Sequence, residues 1–154
     1  MRAALAVLVI ANATPALAAG RIPYGSRVGM EVTITGMEGI GSASAVIRVK
    51  HTPENAREFC VQYSNDRSRK CVEQTLRETR LNDELRGNCR AGTFTNLFGD
   101  NVVFKGRNKS KEEGAPRYVL IGSDGMFDGS SASGYTEVLS QFQALCPALV
   151  DRIE

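Results

Sequence analysis

Four cysteines follow a leader that reads as an export signal, and together these two features limit what the chain can fold into. In the leader, "MRAALAVLVIANATPALA", Arg2 is the only charge and stands before an apolar run from Ala3 to Ala11. Pro15 breaks that run, and Ala16-Leu17-Ala18 offers the small-x-small pattern that a signal peptidase accepts. A chain cut near Ala18 starts at Ala19 and matures in an oxidising compartment, periplasmic or extracellular. There an even number of cysteines implies disulfides. Cys60, Cys71, Cys89 and Cys146 allow three pairings, and sequence alone does not choose among them. Cys60–Cys71 with Cys89–Cys146 is preferred, because the first pair is local and the second ties a C-terminal helix to the middle of the chain.

The apolar run is too short to span a bilayer, which needs about 20 apolar residues. No second run of that length follows, and no cysteine stands at the cleavage junction to carry a lipid. The expected organisation is a signal peptide over residues 1–18 and one globular domain over residues 19–154, large enough for a real core. Charge is nearly balanced. Of 19 Lys+Arg against 17 Asp+Glu, the leader removes only Arg2, leaving 18 against 17. Such a chain is not built to neutralise a row of phosphates, so no nucleic-acid partner is expected. The absence of Trp argues against a base- or sugar-stacking platform.

Residues 19–27 read as an ordered lead-in with turn chemistry. Val28, Met30, Val32 and Ile34 then alternate with polar or small residues, as do Ala43, Ala45, Ile47 and Val49 after the loop "GMEGIGS". These are two strands of an antiparallel pair. Thr52, Pro53 and Glu54 open a helix that carries Ala56, Phe59, Cys60 and Tyr63 on one face. "KCVEQTLRE" is read as a second helix, although alternation fits it nearly as well. Strands return from Leu85. "TFTNLF" and "NVVFKG" flank a Gly99-Asp100 turn, and "RYVLIG" and "MFDG" flank an Asp124-Gly125 turn. A last helix, about Tyr135 to Cys146, buries Val138, Leu139, Phe142, Leu145 and Cys146, with Ser131 or Ser133 as its cap and Pro147 as its stop. The fold class is α+β: a mainly antiparallel sheet of about five to six strands with two or three helices, stabilised by disulfides.

Chemistry is sparse. His51, the single histidine, lies between a strand and a helix start, and is the only imidazole able to serve as a general base. Ser131 and Ser133 lie in "GSSASG", which lacks the second glycine of a nucleophile elbow and reads as a loop before a cap. Lys105, Arg107, Lys109 and Lys111 form a short basic run, answered at once by Glu112 and Glu113. It is a candidate surface for an anionic partner, although such runs are commonly solvated loops. Asp124 and Asp128 lack the ligand spacing of a calcium loop. With no C-x-x-C and no Cys/His cluster, neither metal nor cofactor is expected.

The segments "GMEVTI", "HTPENAREFCV", "GNCRAGTF", "DGSSASGY" and "FQALCP" resemble those of small exported alphaproteobacterial proteins of unknown function, from about Tyr24 to Pro147. The resemblance implies export and carries no site. The leading expectation is an exported, non-enzymatic binding or structural module, acting on a cell-envelope component or another exported protein. The alternatives are a small secreted hydrolase with His51 as general base, or an enzyme inhibitor presenting loop 106–116 or 129–134.

Overall fold

The alternation read over residues 28–50 becomes a hairpin, shifted a few residues along the chain. A computed structural model describes residues 20–150, so the expected export signal lies outside the described residues. Strand β2 runs Glu31–Glu38 and β3 runs Ala45–Lys50, antiparallel, with a register slip between Ile34 and Gly36. Val32, Ala45, Ile47 and Val49 point into the core as expected. Val28 precedes the strand and is 54% exposed. Part of the expected lead-in is itself a strand, β1 (Arg21–Pro23), paired to β2.

Both middle helices form, the first where its Thr52 cap predicts. Thr52 accepts a hydrogen bond from the Asn55 N–H at 3.2 Å, and the Asn55 side chain accepts one from the Thr52 N–H at 3.0 Å, starting α1 (Pro53–Gln62). Ser68 caps α2 (Arg69–Glu78). Gly29, at φ +81°, brings the β1–β2 loop against α1; a Cβ there would lie 2.7 Å from the Phe59 backbone. After the helices come β4 (Glu84–Asn88), β5 (Thr93–Thr95), β6 (Asn101–Arg107), β7 (Tyr118–Gly122), β8 (Gly125–Met126) and α3 (Tyr135–Leu145).

The architecture is α+β with three helices, but the sheet has eight strands rather than five to six. The strands follow one another in chain order and every pairing is antiparallel. The undercount comes from β1, three residues long and read as lead-in, and from β4, not separated as a strand of its own; β5 and β8 lie in segments read as strands but are only three and two residues long.

One helix serves this whole sheet. The Tyr135 hydroxyl accepts from the Tyr118 N–H (2.9 Å) and donates to the Tyr118 carbonyl (3.0 Å) on β7. The Gln141 side-chain amide donates to the Pro23 carbonyl on β1 at 2.9 Å. In a flat sheet β1 and β7 would lie about 29 Å apart, at about 4.8 Å per strand. Tyr135 and Gln141 are only about 9 Å apart along the helix axis. The sheet must therefore curl around α3, and slips such as that between Phe104 and Arg107 help it bend. Inside the curl, Phe142 stacks on Phe104 at 4.5 Å and meets Phe94 at 5.2 Å, while Phe104 meets Tyr118 at 5.5 Å.

Disulfides Cys60–Cys71 and Cys89–Cys146 are formed; the first staples α1 to α2, the second anchors the end of α3 beside β4. Three local readings change. Residues 96–100 connect β5 and β6, so Gly99-Asp100 is not a two-residue turn. The β7–β8 turn is Ser123-Asp124, because Gly122 pairs with Gly125. Neither Ser131 nor Ser133 caps α3. They form a single 3-10 turn capped by Ser130, and Gly134, at φ +72°, begins the helix without a side-chain cap.

Gln141 is buried and also accepts from the Leu97 N–H at 3.1 Å. Gln141→Leu orphans the buried Leu97 N–H and removes the part-buried bond to the Pro23 carbonyl, and should destabilise the fold by about 1–3 kcal/mol. Urea unfolding against Thr136→Ala, a control at an exposed position on the same helix, checks it. In the same assay, replacing Cys89 and Cys146 by Ala should cost about 4 kcal/mol against about 3 for the Cys60–Cys71 pair, since the loop released is longer.

Candidate functional site

An antiparallel meander sends alternate connections to opposite ends of the sheet. One end carries the β1–β2 loop, the α1–α2 hairpin with its return segment, loop 96–100 and the Ser123-Asp124 turn. The other carries the β2–β3 loop, the Cys89–Cys146 disulfide, the close of α3 and the charged loop 108–116. There Gly41 donates to the Leu145 carbonyl at 2.8 Å, so this end is tied shut.

His51 lies at the first end, where β3 gives way to α1. It borders a cavity of about 170 Å³ lined by Val32, Val49, Leu76, Leu81, Thr79 and Asp83, among others. The edge of its ring meets Tyr24, with centroids 5.3 Å apart. Both ring nitrogens are sealed from solvent and neither has a hydrogen-bond partner among the described residues. Burial lowers the His51 pKa from its ordinary value. The concave setting is the one a general base needs. The partners are missing: no carboxylate or hydroxyl orients the imidazole, and a substrate proton has no path to either nitrogen in this conformation. Tyr24 is pushed up by burial, against a hydrogen bond with Thr79.

Loop 96–100, at the same end, is organised by one residue. The Asn96 side-chain oxygen accepts from the N–H groups of Phe98 and Asp100, each at 2.9 Å. Its amide donates to the Asp100 carboxylate at 3.1 Å. Leu97 points inward and is fully buried; Phe98 points outward and is 55% exposed. Beside this loop, Asp100, Asp124, Met126, Phe127 and Ser133 border a pocket of about 320 Å³.

The other sequence candidates do not converge on His51. Ser133 borders the Asp100 pocket, and its hydroxyl donates to the Ser130 carbonyl at 2.8 Å. Ser131 is exposed in the same 3-10 turn. Asp128 accepts from the Ser130 N–H at 2.8 Å, and the Ser130 hydrogen bonds hold its carboxyl below the usual range. Lys105 and Arg107 lie on β6, with the Arg107 guanidinium 5.9 Å from the Tyr118 ring centre; Lys109 follows in the loop at the tied end. Among the described residues no three His, Cys, Asp or Glu side chains converge as metal ligands, and no helix is long and apolar enough to cross a membrane.

Sequence reading missed loop 96–100, taking its first residues as strand. The available signal was Asn96 with Gly99 three residues on, a turn pattern inside an apolar run. It also missed Tyr24 and the return segment 79–83, which only the fold brings to His51.

No protein-family model, no curated protein and no solved structure matches the chain. Diethyl pyrocarbonate should modify His51 at pH 7 much more slowly than free imidazole, rising to the free rate in urea. With one histidine in the chain, absorbance at 240 nm reads this site alone.

Proposed function

We propose that this is an exported, non-enzymatic binding protein that docks another exported protein or a cell-envelope component through the open end of its sheet. The observation that carries this reading is the placement of exposed apolar side chains. Among the described residues six large apolar side chains are exposed; Val28, Tyr63, Phe98 and Met126 stand at that one end, on connections or on the short β8, and Met37 and Leu149 lie elsewhere. Isolated exposed apolar residues are ordinary, whereas several gathered at one pole of a small protein favour contact with a partner. Their mounting is rigid. Phe98 rides on the Asn96-braced loop. Tyr63 stacks on Phe59 at 5.4 Å and lies under the Arg27 guanidinium, 4.6 Å from the ring centre. Aromatic groups held in place before binding lose little entropy when they dock.

Export is supported by the leader pattern, by two disulfides and by the resemblance to small exported alphaproteobacterial proteins. The sealed nitrogens of His51 weigh against the hydrolase reading. The inhibitor reading survives in altered form. A hydrogen-bonded loop tipped by one exposed aromatic suits insertion into an enzyme cleft, and loop 96–100 fits this better than 106–116 or 129–134.

Intact mass of protein recovered from the exporting host should show a chain starting at Ala19 and lacking the four cysteine hydrogens. A photo-crosslinking residue placed at Phe98 or Tyr63 in that host should give one discrete adduct, absent from the same residue at Lys109. The adduct should be lost on Asp substitution of the unlabelled member of the pair. An adduct formed only from Lys105 or Lys109 would move the site to the basic run, and turnover abolished by His51→Ala would restore the enzyme reading.

A further inference from the structure

We propose that His51 is an acid-operated latch. When its imidazole takes a proton, the wall formed by the end of α2 and residues 79–83 draws back and admits water to the ring nitrogens. This goes beyond the docking reading and does not depend on it.

The geometry sets the imidazole at a joint. Val32 and Val49, both buried in the sheet, form the cavity floor, and Leu76, Thr79, Leu81, Asn82 and Asp83 supply the cover. Tyr24 closes one side, its ring steeply tilted against the imidazole. The ring nitrogens meet neither solvent nor a protein partner. A neutral imidazole tolerates this arrangement at moderate cost. An imidazolium carries two N–H donors and a full charge, and cannot remain there without water or an acceptor. Something must move to admit one.

The cover is the part held least firmly. Thr75 is the only buried residue of α2, and α2 packs chiefly on α1. On the other side, Tyr24 and the β3 residues belong to the buried core. What holds the cover is the Thr79 bond to the Tyr24 hydroxyl, the Asn82 N–H to the Leu97 carbonyl at 2.7 Å, and the Val49 N–H to the Asp83 carbonyl at 2.8 Å. Beyond these bonds, Leu81 packs against the edge of the core. The Cys60–Cys71 disulfide keeps the two helices joined as the cover moves, so opening requires no loss of the hairpin itself.

The charged and titratable groups around the ring are few. Lys50 from β3 and Asp83 from the return segment border the cavity, Tyr24 contributes its phenol, and α2 contributes only Leu76. Neither Asp83 nor Tyr24 hydrogen-bonds the ring in the closed form. Once the cover lifts, water can reach an imidazolium, so the open form binds the proton more tightly. Linkage then requires acid to shift the population toward that form. The sign is fixed. The closed form, with its lowered histidine pKa, is fully favoured above the ordinary value near 6.5 and loses ground as pH falls below it.

The test uses the oxidised chain and amide hydrogen exchange from pH 7.5 to 4.5, corrected for intrinsic rates, beside a histidine NMR titration. The Arg21 hydrogen bonds hold the Glu58 carboxyl below its usual range, so the ion pair anchoring α1 to β1 stays intact across most of this window. Amides from Leu76 to Asp83 should lose protection by up to about tenfold per pH unit below 6.5. Core amides of β3 and β6 should keep theirs, and His51→Phe should abolish the loss. His51→Asn serves if the Phe variant does not fold. Equal acid sensitivity in the variants would overturn the latch, as would uniform loss across the core or a His51 titration at the ordinary value with protection unchanged.

Discussion

Everything in this molecule depends on the burial of α3 within the curl of its own sheet. An eight-stranded meander with one apolar face has two exposed edges, and a single helix cannot cover it flat. Curling solves both problems: it brings the inward faces of β1 through β7 to one helix and keeps each edge strand to two or three residues, too short to recruit another chain readily. Phe142 is the centre of the arrangement, lying against Phe94 and Phe104 from two neighbouring strands. Gln141 beside it carries out the polar half. It joins β1 to the loop after β5 by two hydrogen bonds, one buried and one part-buried, so the curl is fixed in register as well as filled.

That dependence explains which parts of the fold were legible in the sequence. Val138, Leu139, Phe142 and Leu145 mark the inward stripe of α3 at helical spacing, and Ala45, Ile47 and Val49 mark β3 at a period of two. These patterns arise from burial on one face and survive without the third dimension. The short strand β1 could not be read, because its pairing comes from a neighbour brought close by the fold and not from any pattern of its own, and β5 and β8 were read as longer strands than they are. The turns failed for a related reason. Gly99-Asp100 has the composition of a two-residue hairpin turn, but Asn96 offers its side-chain oxygen to two backbone N–H groups and draws five residues into the loop.

The candidate site was legible in part only. His51 could be singled out as the one imidazole, and its position between strand and helix was read correctly. What surrounds it was not readable, since Tyr24 and the residues of 79–83 reach it from distant stretches of sequence. The sealed, partnerless state of its nitrogens is the single fact that decides between a base and a structural or switching role, and it belongs wholly to the packing.

The two ends of the sheet divide the work by stability. At one end the Cys89–Cys146 disulfide and the Gly41–Leu145 hydrogen bond tie the helix to the loops, and few exposed apolar groups remain. At the other, a helical hairpin with little buried surface of its own covers a histidine, next to braced loops that hold Phe98 and Tyr63 outward. Elements that must move or bind are drawn from the least stable part of a fold, and they can be spared there only because the opposite end is covalently fixed. The curl around α3 therefore acts as the rigid body against which a loosely held cover can open.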